Sequence, residues 1–228
     1  MRLAWGMAFS AGAVLPFVAC SGGDESFEEK ASYALGVDMG NSVKQFGTSV
    51  DRDALVDGLR DVLSEREPRL SPEEVNELVR ELLAKAQEED ARWRTELAET
   101  NMQKGEEFLA ENKAQDGVVE TASGLQYIVL TRGDGPSPAA TDRVTVHYEG
   151  KLLDGKVFDS SYERGEPAEF VLSEVISGWT EGVQLMKVGS KYRFFVPSDL
   201  AYGGRGSGED IGPNATLIFE VELISIER

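Results

Sequence analysis

The sequence predicts an α+β fold: an all-α amino-terminal arm ending in one long helix, then an antiparallel β-sheet wrapped on one short helix. Two observations carry this reading. Up to about Asn112 the apolar residues recur at three- and four-residue intervals, and from Gly124 they fall into short strand-like runs between turn residues. Between Pro72 and Gly105 no Pro or Gly occurs, so nothing stops a helix begun at 72 before about 112.

In chain order, residues 27–46 carry Phe27, Ala31, Leu35, Met39, Val43 and Phe46 on one helical face, and Gly47 ends the run. Gly36 and Gly40 weaken that helix in isolation and leave room for another to approach. A second helix over 51–64 aligns Leu55, Leu59, Val62 and Leu63. The third opens with Ser71 as N-cap, Pro72 at the first helical position and Glu74 completing a capping box. Its stripe of Val75, Leu78, Val79, Leu82, Leu83 and Ala86 thins out before Trp93, Leu97, Phe108 and Leu109, so one portion packs and another stands in solvent as a spacer. At 1.5 Å per residue the rod is about 60 Å long. Two short helices and one end of such a rod do not close a core, which points to a homodimer through residues 26–113; a monomeric three-helix subdomain is the alternative. Gln115-Asp116-Gly117 breaks the period, and the domain boundary falls near 114–123. Strands follow over 125–130, 144–150, 191–196 and 217–224, with a short helix over 179–186 after Gly178, giving a second domain over 124–228.

Composition narrows the function. Against 23 Lys and Arg stand 41 Asp and Glu, net charge -18, which excludes nucleic acid or an anionic surface gripped through a basic face. One Cys and one His exclude an intramolecular disulfide and a Cys- or His-rich metal site. Arg2 followed by an apolar run to Ala19 has the layout of an export signal over 1–19. Phe17-Val18-Ala19-Cys20-Ser21 resembles the lipobox of bacterial lipoproteins, which implies that Cys20 is acylated, with 20–25 as a polar leader. A plain signal peptide with an incidental Cys is the other reading. The resemblance implies a bacterial cell envelope location, as an outer-membrane lipoprotein facing the periplasm and held to the bilayer by the Cys20 acyl chains.

Three segments of the second domain resemble the FKBP-type peptidyl-prolyl cis-trans isomerases: Val146-His147-Tyr148-Glu149-Gly150 leading to Gly155-Lys156-Val157-Phe158-Asp159-Ser160-Ser161; Val175-Ile176-Ser177-Gly178-Trp179; and Ala201-Tyr202-Gly203 leading through Ile211 and Pro213 to Phe219-Glu220-Val221-Glu222-Leu223. The arm, with Ser32-Tyr33-Ala34-Leu35-Gly36 and Lys104-Gly105-Glu106-Glu107-Phe108-Leu109, resembles the extension of the Mip-like and FkpA-like bacterial members. The resemblance implies a pocket for a proline ring with Tyr148, Phe158, Val175, Ile176 and Phe219 as walls, Trp179 as floor, and Tyr202 and Ile211 at the rim. It also implies Asp159 as the carboxylate beside the pocket and the Ile176 N–H as donor to a substrate carbonyl. Three positions depart from the family pattern: Ala168 replaces a mouth-lining Phe, Ser207 a common His, and Gly212 the first of two prolines, which would widen the mouth and loosen the loop.

The activity so implied is isomerisation of X–Pro bonds in exported polypeptides, without cofactor or metal. The alternative is a holdase that uses the same pocket and the arms with little catalysis. A hydrolase finds no nucleophile–base pair. Strand alternation puts His147 on the face opposite Tyr148, and Glu149, Glu220 and Glu222 read as a solvated strand face.

Overall fold

The computed structural model describes residues 26–44 and 50–227. The export signal, Cys20, the polar leader, Phe46 and Gly47 lie outside the described residues. The chain divides into two compact units between Val79 and Arg80, inside the long helix.

In the first unit, α1 spans Phe27–Lys44 and α2 spans Arg52–Leu63, and neither has a buried residue. Each starts at a side-chain cap. Ser26 and Glu29 exchange hydrogen bonds of 2.8 and 3.2 Å in a capping box that apolar periodicity did not reveal, and Asp51 accepts from the Ala54 N–H at 2.9 Å. The helix α3 spans Pro72–Asn112, with the reciprocal Ser71–Glu74 bonds expected at its start. Phe27, Leu35, Met39, Leu55, Val62 and Leu78 stay exposed in the single chain.

In the second unit the strands are β1 (Val119–Glu120), β2 (Gln126–Thr131), β3 (Arg143–Leu152), β4 (Val157–Ser160), β5 (Ala168–Val171), β6 (Lys191–Val196) and β7 (Leu217–Glu227). All pair antiparallel in the order β1-β2-β6-β7-β3-β4, and β5 takes the first half of the β3 edge that β4 shares. Val144, Val146 and Tyr148 of β3 and Leu217, Phe219, Val221 and Leu223 of β7 alternate inward to form the core. The short strands β4 and β5 were legible only as motif residues, because four residues give little periodicity to read.

Two short helices sit at the sheet: α4 (Ser161–Arg164) and α5 (Ser177–Gln184). The latter begins before the expected 179, and Gly178 lies within it. Gly178 and Gly182, one turn apart, let α5 approach the sheet, since a Cβ there would come within 2.5 Å of Val196 and 2.7 Å of Phe194.

The far part of α3 is not a free spacer. The Phe108 ring lies 5.7 Å from Phe195, and Gly105 is buried against Thr216. The Gln126 side chain, 1% exposed, donates to the Leu109 carbonyl at 2.8 Å and accepts from Asn112 at 2.8 Å. Phe108 and Leu109 stand on the apolar stripe, whereas Gly105, Asn112 and Gln126 are small or amide residues that a search for apolar stripes does not see.

Candidate active site

Strand β3 presents Tyr148 to the core, and Gly150, two residues on, faces the same way. A side chain at Gly150 would come within 2.6 Å of the Phe158 ring and 2.8 Å of the Phe219 ring, so the glycine is what lets those rings meet. Helix α5 sets Trp179 beneath them. Its indole is 4% exposed and stands nearly perpendicular to three rings: Tyr148 at 5.2 Å, Phe219 at 5.3 Å and Phe170 at 5.4 Å between centroids. Phe158 meets Phe219 edge-on at 5.6 Å. Such edge-to-face contacts are each worth about 0.5–1.5 kcal/mol beyond the area they bury. Ile211 belongs to the same buried core cluster as Trp179, and Val175 and Ile176 pack against that cluster.

The indole carries an unused donor. The Trp179 Nε1–H is buried with no acceptor among the described residues, which costs about 1–3 kcal/mol unless a ligand or water satisfies it. The Ile176 N–H also donates no bond among the described residues, while its carbonyl accepts from Trp179 and Thr180 at 2.9 and 3.0 Å as α5 begins.

The polar rim is a three-residue network. Asp159 on β4 accepts one hydrogen bond from the Tyr148 hydroxyl and another from Arg164 of α4. The same guanidinium donates to the Tyr148 oxygen at 3.0 Å and lies 5.5 Å from the Tyr148 ring centroid. Burial, then the bond to Asp159, pushes the Tyr148 phenol up to about 12, so it stays a neutral donor. Arg164 is held still more firmly protonated by its bonds to Tyr148 and Asp159. Tyr202 is 39% exposed; burial and the Asp159 charge both raise its pKa. Both carboxylate oxygens of Asp159 are thus engaged within this network.

Sequence reasoning missed Arg164 and Phe170, although both lie in the same stretch as the motif. It also missed Ser161, whose Oγ accepts from the Tyr148 N–H at 2.8 Å and donates to the Tyr148 carbonyl at 3.2 Å, pinning β3 at the site. His147 lies on the other face, 3.0 Å from Ser161 Oγ and stacked 4.7 Å from Tyr162. On that face Glu220 is bound by Arg193 at 3.0 Å and Lys191 at 3.1 Å. Burial alone would raise its pKa, but these bonds outweigh it and hold the carboxyl below its ordinary value. Ala168 pairs with Val146 at the start of β5, and Ser207 forms a bridge with Ile211. Gly212 lies against Leu97 and Asn101 of α3.

Residues 135–224 match the profile of the FKBP-type peptidyl-prolyl cis-trans isomerases, and residues 28–129 match that of the domain amino-terminal to them. A probable FKBP-type peptidyl-prolyl cis-trans isomerase FkpA of Neisseria meningitidis serogroup B is 46% identical over 201 residues, 87% of this chain and 74% of that one. This chain belongs to the FKBP-type peptidyl-prolyl cis-trans isomerases. Within this family it is also similar to the outer membrane protein MIP of Legionella longbeachae, 43% identical over 88% of this chain and 86% of that protein. The crystal structure of FkpA from Escherichia coli superposes with a TM-score of 0.69 at 37% identity, covering 89% of this chain and 98% of that one. The α+β architecture, with a helical region before an antiparallel sheet, is thus the family's own, and the reaction is cis–trans interconversion of peptide bonds that precede proline.

Proposed function

We propose that Tyr148, Phe158, Val175, Ile176, Trp179, Ile211 and Phe219 hold the prolyl ring, and that Asp159 and Tyr202 at the rim orient the chain beside it. The observation that supports this most is Trp179, walled by three rings and left with an unsatisfied donor. Turning an X–Pro amide crosses a barrier of about 20 kcal/mol through a state whose C–N bond has lost conjugation. That twisted state separates less charge than the planar amide, which water favours. Transfer into an aromatic recess removes part of that advantage, while the ring is held and the preceding carbonyl turns. The Ile176 N–H is free to hold a substrate carbonyl. Only the stabilisation that is greater in the twisted state raises the rate, and a 10⁵-fold gain requires about 7 kcal/mol of it. No nucleophile or cofactor takes part.

The test is exchange spectroscopy of an Ala-Leu-Pro-Phe peptide with the soluble protein from residue 21 onward. Interconversion is expected to accelerate in proportion to protein concentration; exchange at the thermal rate, with folded protein, would overturn the reading.

The reading extends to folding help for exported polypeptides, with two chains paired through residues 26–113 so that two catalytic domains serve one client. The faces of α1 and α2, on which no residue is fully buried within one chain, support the pairing. Light scattering is expected to give about twice the monomer mass, and a single-chain mass would refute the dimer. Anchoring to the outer membrane through acylated Cys20 rests on the sequence Val18-Ala19-Cys20-Ser21. It fits a chain in which no described helix is long and apolar enough to cross a bilayer.

A further inference from the structure

The loop over residues 203–214 joins the candidate site to the long helix. It begins after Tyr202 and carries Ile211, so both rim residues depend on where it lies. Internally it is closed: Ser207 and Ile211 exchange backbone bonds of 2.8 and 3.1 Å, and the Asn214 N–H donates to the Gly203 carbonyl at 2.9 Å. A unit tied to itself in this way moves as one piece. Between it and α3 lies a cavity of about 600 Å³ bordered by Trp93, Leu97, Asn101, Leu153, Ile211 and Pro213.

Across that cavity the loop is held to α3 at three points. Asn101 Nδ2 donates to the Pro213 carbonyl at 2.8 Å, and Asn214 Nδ2 donates to the Ala98 carbonyl at 3.3 Å. Gly212 sits so close to the helix that a Cβ there would be 3.0 Å from Leu97 Cδ2 and 3.2 Å from Asn101 Nδ2. Asn214 reaches the helix from a left-handed backbone, φ 54, a conformation that asparagine tolerates better than most residues. We propose that the Leu97–Asn101 segment of α3 positions the 203–214 loop, and through Tyr202 and Ile211 sets how tightly the recess takes an X–Pro segment. This rests on the isomerase reading of the recess. Leu97 and Asn101 are positioning residues: they touch the loop, not the substrate. Because the chemistry depends on Trp179, Tyr148 and Phe219, which the helix segment does not contact, the effect belongs in KM and not in kcat.

The experiment compares the soluble protein from residue 21 with Asn101→Asp, which keeps the shape but loses the donor, with Leu97→Ala, and with Asn101→Gln, which keeps a donor. Gln103→Ala, whose side chain bonds only Glu107 on the solvent side at 2.9 Å, is the control. Two readouts are taken: KM and kcat on an X–Pro tetrapeptide, and amide hydrogen exchange of residues 203–212. Asn101→Asp and Leu97→Ala are expected to raise KM about 3- to 10-fold, the loss of one hydrogen bond or one contact, with kcat within about twofold. Loop exchange should be faster in both, and Asn101→Gln should recover most of each change. Unchanged KM with unchanged loop exchange, or a fall in kcat at constant KM, would overturn the proposal. A wild-type protein without activity would instead refute the isomerase reading, and loop exchange would still decide whether the helix holds the loop.

Discussion

A chain that begins at residue 120 is expected to be far less stable than one that begins at Arg80, although both contain the whole sheet from β2 onward. The shorter chain loses Phe108 from Phe195, Leu97 from Gly212, and the backbone and amide partners that cover Gln126. Partial burial of two large apolar side chains, at about 1.5–3 kcal/mol each when full, together with two hydrogen bonds to buried Gln126 at about 1 kcal/mol each, gives a loss of about 3–6 kcal/mol. For a domain whose whole stability is about 5–15 kcal/mol, that is a large fraction, and the melting temperature should fall by at least about 10 °C. Circular dichroism melts of the two chains decide it. Equal melting temperatures would mean that the far part of α3 rests on the sheet without supporting it. The compact unit that holds the sheet itself begins at Arg80, inside the helix.

Replacing Trp179 is the second large effect. Trp179→Ala empties the space among Tyr148, Phe170 and Phe219, and deletion of a buried aromatic of this kind costs about 3–5 kcal/mol. It also removes the surface on which the prolyl ring would rest. Trp179→Leu separates the two consequences, because it restores part of the volume and leaves more of the fold intact. Peptide turnover by the Leu variant is expected to fall at least about 10-fold, equivalent to 1.4 kcal/mol of transition-state stabilisation, at a temperature where thermal melts show the protein folded. Full turnover by a folded Trp179→Leu protein would remove Trp179 from the account of catalysis and leave it a core residue.

What the chain disclosed in advance follows from how each feature is written in side chains. The long helix was legible, from Pro72 to about Asn112, because its start is a capping box and no Pro or Gly follows Pro72 until Gly105. The cluster of Tyr148, Phe158 and Phe219 about Trp179 was legible because these residues stand in a spaced motif. The function of the helix's far part was not legible, since Asn101, Gly105 and Asn112 look like ordinary solvent-side or weak helix residues until the loop and Gln126 are placed against them. Arg164 had no signal of its own either. An arginine in a short polar stretch is most often solvated, and only the one-turn helix α4, capped by Ser160 and ended by a left-handed Gly165, swings it back to Asp159 and Tyr148.

The claim on which the rest depends is that the prolyl ring sits on the Trp179 indole. Transferred nuclear Overhauser effects between an X–Pro peptide in exchange and the soluble protein test it directly, with the indole protons of Trp179 assigned by comparison with Trp179→Leu. The account predicts cross-peaks from the proline ring protons to the Trp179 indole and to the Phe219 ring, lost in the variant. Proline cross-peaks that fall instead on Trp93 or on exposed side chains of the arm, and that survive in Trp179→Leu, would contradict it.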